Sequence, residues 1–137
     1  MDTKPGEIVE RYYREVWDRR QPELIPPLFA ATYRNHAGAR GTMEGPAGIR
    51  ANYDSTITSF SDVSFTRDEV ICDGDRVVVR YTMLGTHTGP FMQLAPTGKS
   101  VSVPGIGIYR VADGQIQESW VVRDTLVLLR QLGANVG

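Results

Sequence analysis

The sequence has little cysteine, little histidine and almost no net charge, and each shortage excludes a class of protein. Cys72 is the only cysteine, so neither an intramolecular disulfide nor a cysteine-based zinc cluster can form. Fifteen basic residues against sixteen acidic ones give a net charge of −1 without a basic cluster, which predicts no nucleic-acid partner. His36 and His87 are the only histidines, and two imidazoles alone predict no metal site.

Long apolar runs are missing as well. No run approaches the roughly 20 residues of a membrane-spanning helix, and the N-terminus lacks an apolar signal core. We therefore expect a cytoplasmic protein with no membrane partner. With 41% apolar and 23% charged residues, the composition excludes disorder for most of the chain. The length of 137 residues predicts one domain over residues 1–137.

The order of the secondary-structure signals favours an α+β fold. Helical patterns come first and strand patterns follow, rather than alternating along the chain. Helices are predicted over residues 6–18, 23–29 and 46–59, with a short strand over 31–36 and a loop over 38–45 between them. Long strands are predicted over 63–71, 77–88, 99–111 and 115–123, with hairpin turns at Asp73-Gly74 and Asp113-Gly114. A last helix is predicted over 125–132.

These elements predict a cone-shaped barrel, in which a curved, mostly antiparallel sheet wraps around the N-terminal helices. A cone of this size holds a small-molecule pocket at its open end. Pro104, Gly105 and Gly107 fall inside the third long strand and predict a bend or bulge there. The candidate substrate-contacting residues of the pocket are bulky or aromatic, and core packing is the commoner role for any one of them. They are Trp17, Tyr33, Tyr53, His87, Phe91, Trp120 and Tyr109.

The sequence contains no phosphate-binding glycine loop, zinc motif or nucleophile elbow, so its candidate chemistry is acid–base. Asp124 ends an apolar strand, on the parity of Trp120 and Val122. Desolvation there would make its carboxylate a general acid/base, whereas its position also suits the N-cap of the last helix. His36 could orient a carbonyl group or act as an acid, or it could simply bond to the backbone.

Several segments together resemble the SnoaL-like polyketide cyclases, over roughly residues 6–133. The matching segments are YYREVWDR (12–19), YRNH (33–36), GTHTG (85–89), PTGK (96–99), ESWVVRD (118–124) and LLRQLG (128–133). The resemblance implies the nuclear-transport-factor-2-like cone that ketosteroid isomerase and limonene epoxide hydrolase share. It also implies a cofactor-free, aldol-type ring closure of a small hydrophobic or polycyclic carbonyl substrate, with Asp124 as general acid/base. His36 matches the family's histidine near the pocket.

One departure from the family concerns the strand before Asp124. Many relatives have Glu-His-Trp where this chain has Glu118-Ser119-Trp120, and serine cannot take up a proton as imidazole does. The same fold also serves isomerases, epoxide hydrolases and polyketide hydroxylases, so these reactions stay alternatives. Epoxide opening would need Arg80, Arg110 or Glu118 close to Asp124.

A non-catalytic binding or dimerisation module is a further alternative. Cones of this type pair through the outer face of the sheet, so we expect a homodimer. Strands that are apolar on both faces have both faces covered. Four valines are candidates for the interface: Val77, Val101, Val103 and Val121.

Overall fold

The computed structural model describes residues 4–36 and 43–136. Its first helix, α1 (Pro5–Arg11), continues as a π-helical segment over Tyr12–Asp18, and a 3₁₀ turn (Pro22–Leu24) leads into α2 (Ile25–Leu28). The remaining helices are α3 (Gly45–Ser59) and α4 (Thr125–Gln131). Pro5 and Pro46 stand in the first turns of their helices, as predicted. Within the described ranges, no helix is long and apolar enough to cross a membrane.

The helix predicted over residues 6–18 is α-helical only in its first half. In the second half the hydrogen bonds reach back five residues: the Arg19 N–H donates to the Arg14 carbonyl oxygen at 3.0 Å. Two adjacent pairs of large side chains lie on the buried side of this segment. These are Tyr12 with Tyr13 and Val16 with Trp17. The loop predicted over 38–45 lies mostly outside the described residues.

Among the described residues the sheet has six strands, and all neighbouring pairs but one are antiparallel. The strands are β1 (Phe29–Asn35), β2 (Met43–Glu44), β3 (Ser64–Asp73), β4 (Arg76–Thr86), β5 (Ser100–Ala112) and β6 (Gln115–Arg123). Their order across the sheet is β2-β1-β6-β5-β4-β3, and only β1 and β6 run parallel. Gly74, Asp113 and Gly114 adopt positive φ angles in the two predicted hairpin turns. The α+β prediction of a curved, mostly antiparallel sheet is therefore confirmed.

The concave face of the sheet packs against the N-terminal helices and carries the core. Buried and exposed residues alternate along β4 and β5. The buried side chains include Val77, Val79, Tyr81 and Met83 of β4 and Val101, Val103, Tyr109 and Val111 of β5. Three of the valines predicted to form a dimer interface therefore belong to the core. The fourth, Val121, also faces inward, because it lines the cavity described below.

Gly105 and Gly107 do not mark a bulge. The pairing of β5 with both neighbours is unbroken through these positions. A Cβ on Gly105 would overlap the ring of Tyr81, and one on Gly107 would lie 2.9 Å from Tyr109 Cε2. The two glycines therefore let two tyrosine rings lie flat against the inner face of the sheet.

Candidate active site

A cavity of about 540 Å³ lies between the helices and the concave face of the sheet. This volume is in the range of ordinary small-molecule sites, roughly 300–1,000 Å³. Ten aromatic side chains line it: Tyr12, Tyr13, Trp17, Phe29, Tyr33, Phe60, Phe65, Tyr81, Phe91 and Tyr109. Such a wall suits a flat, unsaturated ligand, because aromatic rings stack on one another.

Apart from the tyrosine hydroxyls, the described lining of the cavity has six uncharged polar side chains and one charged one. The polar side chains among its described lining residues are Asn35, Asn52, Ser55, Thr56, Ser59 and Thr125. Arg123 is the one charged residue of that lining set, which holds neither a carboxylate nor an imidazole. An aspartate or histidine could therefore act as an acid or base in this cavity only if its side chain moved into the cavity from outside the lining.

A buried hydrogen-bonded chain joins β1 to β6 beside the cavity. The Tyr33 hydroxyl lies 2.6 Å from Ser119 Oγ. Ser119 Oγ also lies 3.5 Å from Asn35 Oδ1. Asn35 Oδ1 also accepts the Val121 N–H at 3.3 Å. Burial raises the pKa of Tyr33 to about 12, against the opposing effect of the Ser119 hydrogen bond. Tyr33 is thus a neutral phenol at physiological pH.

A second cluster of buried tyrosines lies in the cavity wall. The hydroxyl oxygens of Tyr13 and Tyr109 lie 2.8 Å apart, and both side chains are buried. Burial raises the pKa of both hydroxyls well above its usual value, and the same holds for Tyr12. These groups can donate hydrogen bonds to a carbonyl oxygen but cannot act as bases near neutral pH.

Arg123 is the last residue of β6 and lines the cavity. Its guanidinium carbon lies 5.2 Å from the centre of the Phe91 ring, and Nη1 lies 4.0 Å from Met83 Sδ. The charge also acts on Tyr81: burial raises the pKa of that phenol, and the guanidinium opposes the rise. Arg123 therefore provides positive potential inside a largely apolar space.

The segment over residues 87–98 carries Phe91 and Met92 into the cavity wall. His87 fixes its base, because Nδ1 accepts the Thr97 N–H at 3.1 Å and the ring is fully buried. Nε2 then carries the proton, and it has no hydrogen-bond partner within the described part of the chain. Ser59 Oγ donates to the Pro90 carbonyl oxygen at 2.6 Å and fixes the other side. His87 therefore lies one layer behind the cavity, against Phe60.

The strand parity of Asp124 predicts a buried side chain, but the structure does not bury it. Its side chain is exposed and caps α4, with Oδ1 accepting the Val127 N–H at 3.0 Å. The N-cap interpretation is thus the geometry observed. Its neighbours Arg123 and Thr125 line the cavity, but Asp124 itself faces a shallow depression on the outer side of the sheet. Its catalytic role stays a prediction.

His36 and Trp120 also lie on the outer face, stacked on each other with ring centres 5.1 Å apart. His36 Nε2 is 3.3 Å from Glu118 Oε1, and Glu118 in turn binds Arg110 at 2.8 Å. The Arg110 guanidinium holds the pKa of the Glu118 carboxyl below its usual value. The structure therefore does not bring His36 and Trp120 to the cavity, and their predicted roles remain untested.

Of the seven predicted substrate-contacting residues, four line the cavity: Trp17, Tyr33, Phe91 and Tyr109. Tyr53 is buried behind Trp17, with ring centres 4.9 Å apart. Sequence reasoning missed Asn35 and Arg123. The signal that could have found Arg123 is its strand parity with Ser119 and Val121. Across residues 4–36 and 43–136, no three His, Cys, Asp or Glu side chains form a group that could hold a metal ion.

Comparison with known proteins places this arrangement in one family. The family model described as SnoaL-like polyketide cyclase matches residues 7–132. No curated protein matches the chain significantly.

Solved structures share the fold over almost the whole chain. IdmH, a candidate polyketide cyclase from Streptomyces antibioticus, is 27% identical with a TM-score of 0.85, covering 96% of this chain and 100% of its own. A candidate SnoaL-like polyketide cyclase from Jannaschia sp. CCS1 is 24% identical with a TM-score of 0.87, covering 98% and 99%. AclR, a candidate hydroxylase from Streptomyces galilaeus, is 23% identical with a TM-score of 0.85, covering 97% and 87%. The last two similarities bear on the fold alone.

Proposed function

The chain belongs to the SnoaL-like polyketide cyclase family, and we propose that it closes a ring in a polyketide-like carbonyl compound bound in the aromatic cavity. The observation that supports this most is the wall of ten aromatic side chains around a cavity of about 540 Å³. A flat, partly unsaturated chain would stack on such a wall and fold back on itself. No cofactor is part of the proposed reaction.

In the proposed reaction a base removes the acidic proton between two carbonyl groups of the substrate. The resulting enolate carbon attacks a carbonyl carbon of the same molecule, and one carbon–carbon bond forms. The new alkoxide oxygen then takes up a proton, so that the ring product has the same composition as the substrate. The buried phenols of Tyr13 and Tyr33 can donate to carbonyl oxygens and stabilise the developing negative charge.

Asp124 is the proposed general acid/base. Its carboxylate would have to leave the Val127 N–H and turn past Arg123 towards the cavity. Losing an N-cap of this kind costs about 1 kcal/mol, which substrate binding can offset.

The test compares wild type with Asp124→Asn on linear polyketide esters and simple 1,3-dicarbonyl compounds, with ring product measured by mass spectrometry and NMR. Asparagine also caps helices well, so this change tests the charge and not the cap. We expect turnover to fall roughly 10²- to 10⁴-fold, the usual contribution of one general acid/base. Unchanged turnover would exclude Asp124 from the chemistry. Binding without product by both proteins would favour a binding module.

His36→Gln belongs in the same assay, because His36 was predicted to orient a carbonyl group or to act as an acid. Its bond to Glu118 on the outer face predicts little change in turnover. A loss comparable to that of Asp124→Asn would instead restore His36 to the catalytic machinery.

The epoxide hydrolase alternative receives no support from the charged residues that it would need. Arg110 and Glu118 bind each other, and Arg80 binds Glu69 at 3.2 Å. These pairs lie on the outer face of the sheet, away from the cavity lining. Arg123 is the one charged residue of the described cavity lining, and none of these three residues joins it there.

We also propose that the protein is a homodimer that pairs through the outer face of the sheet. Ile106 and Val122 are directly opposite each other in β5 and β6, and they are 45% and 57% exposed. Leu84 of β4 adds a third apolar side chain to this face. Light scattering at micromolar concentration should give the dimer mass for wild type and the monomer mass for Ile106→Arg. A monomeric wild type would refute the proposal.

A further inference from the structure

Two adjacent residues beside the cavity, Met92 and Gln93, have left-handed backbone conformations, with φ angles of 44° and 69°. They are the central residues of a tight turn, because Phe91 and Leu94 exchange both of their backbone hydrogen bonds, at 3.0 and 2.8 Å. A turn with two positive φ angles ordinarily has asparagine, aspartate or glycine at these positions. Methionine and glutamine are therefore strained there.

No contact of either side chain explains this strain. Arg20 also has a positive φ, but its guanidinium binds backbone carbonyl oxygens, the closest at 2.6 Å. Within the described part of the chain, the side chains of Met92 and Gln93 form no hydrogen bond or ion pair. The residues on either side of them pack against the core, whereas Met92 is left 44% exposed. The stability of the fold therefore does not account for a methionine at this position.

Met92 does line the cavity, next to Pro90 and Phe91. We propose that Met92 is a specificity-determining residue, which packs on the face of a flat aromatic or polyunsaturated ligand and is held in place for this contact by the strained turn. This inference rests on the proposed use of the cavity and deepens it by naming a ligand contact and the shape that it selects. Strained backbone conformations are concentrated at binding and active sites, which fits this role.

The chemistry of methionine suits such a contact. Its sulfur is polarisable and makes favourable contacts with aromatic rings. Because much of the Met92 side chain is exposed, a ligand that covers it removes apolar surface from water. The unbranched side chain also adapts to ligands of different outline. The contact therefore selects a flat apolar face rather than one particular substituent.

Hydrogen bonds hold the base of the turn on both sides, so the strain cannot relax by a movement of the whole segment. Ser59 Oγ donates to the Pro90 carbonyl oxygen at 2.6 Å, and the Ser59 carbonyl oxygen accepts the Thr88 N–H at 2.9 Å. On the other side, the Gly98 N–H donates to the His87 carbonyl oxygen at 2.9 Å. A substitution that suits the turn should therefore relieve the strain without displacing the segment.

The experiment measures two quantities for each protein: the midpoint of urea unfolding, and the Kd of 1,8-dihydroxyanthraquinone by isothermal titration calorimetry. Met92→Asn removes the thioether but suits the first central position of the turn. Gln93→Gly suits the second central position and keeps Met92, so it is the matched control. Met92→Leu keeps an apolar side chain of similar size. Together these variants separate contact with the ligand from strain in the backbone.

We expect Met92→Asn to raise the urea midpoint and to weaken binding about tenfold, as for the loss of one apolar contact. Gln93→Gly should raise the midpoint and leave the Kd unchanged, and Met92→Leu should keep the Kd within about threefold of wild type. A methionine with a packing role only would give a lower midpoint together with weaker binding in Met92→Asn. That result, or wild-type affinity in Met92→Asn, would overturn the inference and leave the proposed function standing. If wild type does not bind the probe, the proposed use of the cavity is itself refuted.

Discussion

The ring of Tyr81 occupies the space that a side chain on Gly105 would need. The two residues are directly opposite each other in β4 and β5, and a Cβ on Gly105 would stand 2.7 Å from Tyr81 Cε1 and still closer to the end of the ring. Tyr81 is buried and forms part of the cavity wall. The Tyr81 ring can therefore line the cavity only because the residue opposite it in β5 is a glycine.

Gly105→Ala should therefore destabilise the protein and alter the cavity. Forcing a methyl group into a packed site costs about 1–3 kcal/mol in the free energy of unfolding, because the buried ring has to move. Urea unfolding measures this cost. In the Tyr81→Val background the ring is gone, so the added cost of Gly105→Ala should be much smaller. Equal costs in both backgrounds would contradict the packing described.

Ser119→Ala should destabilise the protein although serine is small. The change leaves the buried Tyr33 hydroxyl without its 2.6 Å partner, and an unsatisfied buried hydroxyl costs about 1–3 kcal/mol. The double variant Tyr33→Phe, Ser119→Ala removes both hydroxyls and should cost less than the sum of the single changes. Additive losses in urea unfolding would mean that the two hydroxyls do not interact.

The buried tyrosines predict an alkaline transition. Burial raises the pKa of Tyr33 from 10 to about 12 and raises those of Tyr12, Tyr13, Tyr81 and Tyr109 as well. The pKa values of these phenols are higher in the folded protein than in the unfolded one. The stabilisation that comes from keeping the phenols neutral is therefore fully present below pH 10, and it is lost as the pH rises from 10 through the folded pKa values. Phenolate absorbance of the folded protein should lag behind that of protein unfolded in guanidinium. Superimposable titration curves would contradict the burial of these rings.

Glu118 predicts a smaller effect in acid. Its bond to Arg110 lowers the pKa of its carboxyl below the ordinary value of 4.5. The ion pair therefore stabilises the folded protein above pH 4.5, and this stabilisation is lost as the pH falls through the lowered pKa of Glu118. Glu118→Gln should lower the free energy of unfolding at pH 7 by at most about 1 kcal/mol, as is usual for partly exposed pairs. Below the lowered pKa the free energies of unfolding of the variant and the wild type should become equal. A difference in the free energy of unfolding that stays constant at every pH would contradict this prediction.

The elements of the fold could be predicted from local patterns. The two Asp-Gly turns and the alternation in β4 and β5 define the long hairpins, and the first-turn prolines mark the starts of α1 and α3. The π-helical segment could not be predicted in this way. Tyr12, Tyr13, Val16 and Trp17 also fit the buried face of an α-helix, and only the packing decides between the two windings.

The faces of β6 explain why the site was harder to predict than the fold. Trp120 and Val122 are apolar, so their parity was assigned to the inside, and Asp124 with them. In the structure the inner parity is that of Ser119, Val121 and Arg123, while Val122 is 57% exposed. A strand with apolar residues on both faces does not reveal which face is buried, and a shift by one residue exchanges the two.

The central claim is that ring closure takes place in the aromatic cavity, and blocking that cavity tests it most directly. Asn52 of α3 lines the cavity, whereas Asp54 of the same helix is exposed and binds Arg50. The measurement is the rate of ring product from a linear polyketide substrate with wild type, Asn52→Trp and Asp54→Trp, each shown to be folded. We predict that Asn52→Trp abolishes the product while Asp54→Trp retains it. Equal product formation by both variants would contradict the account.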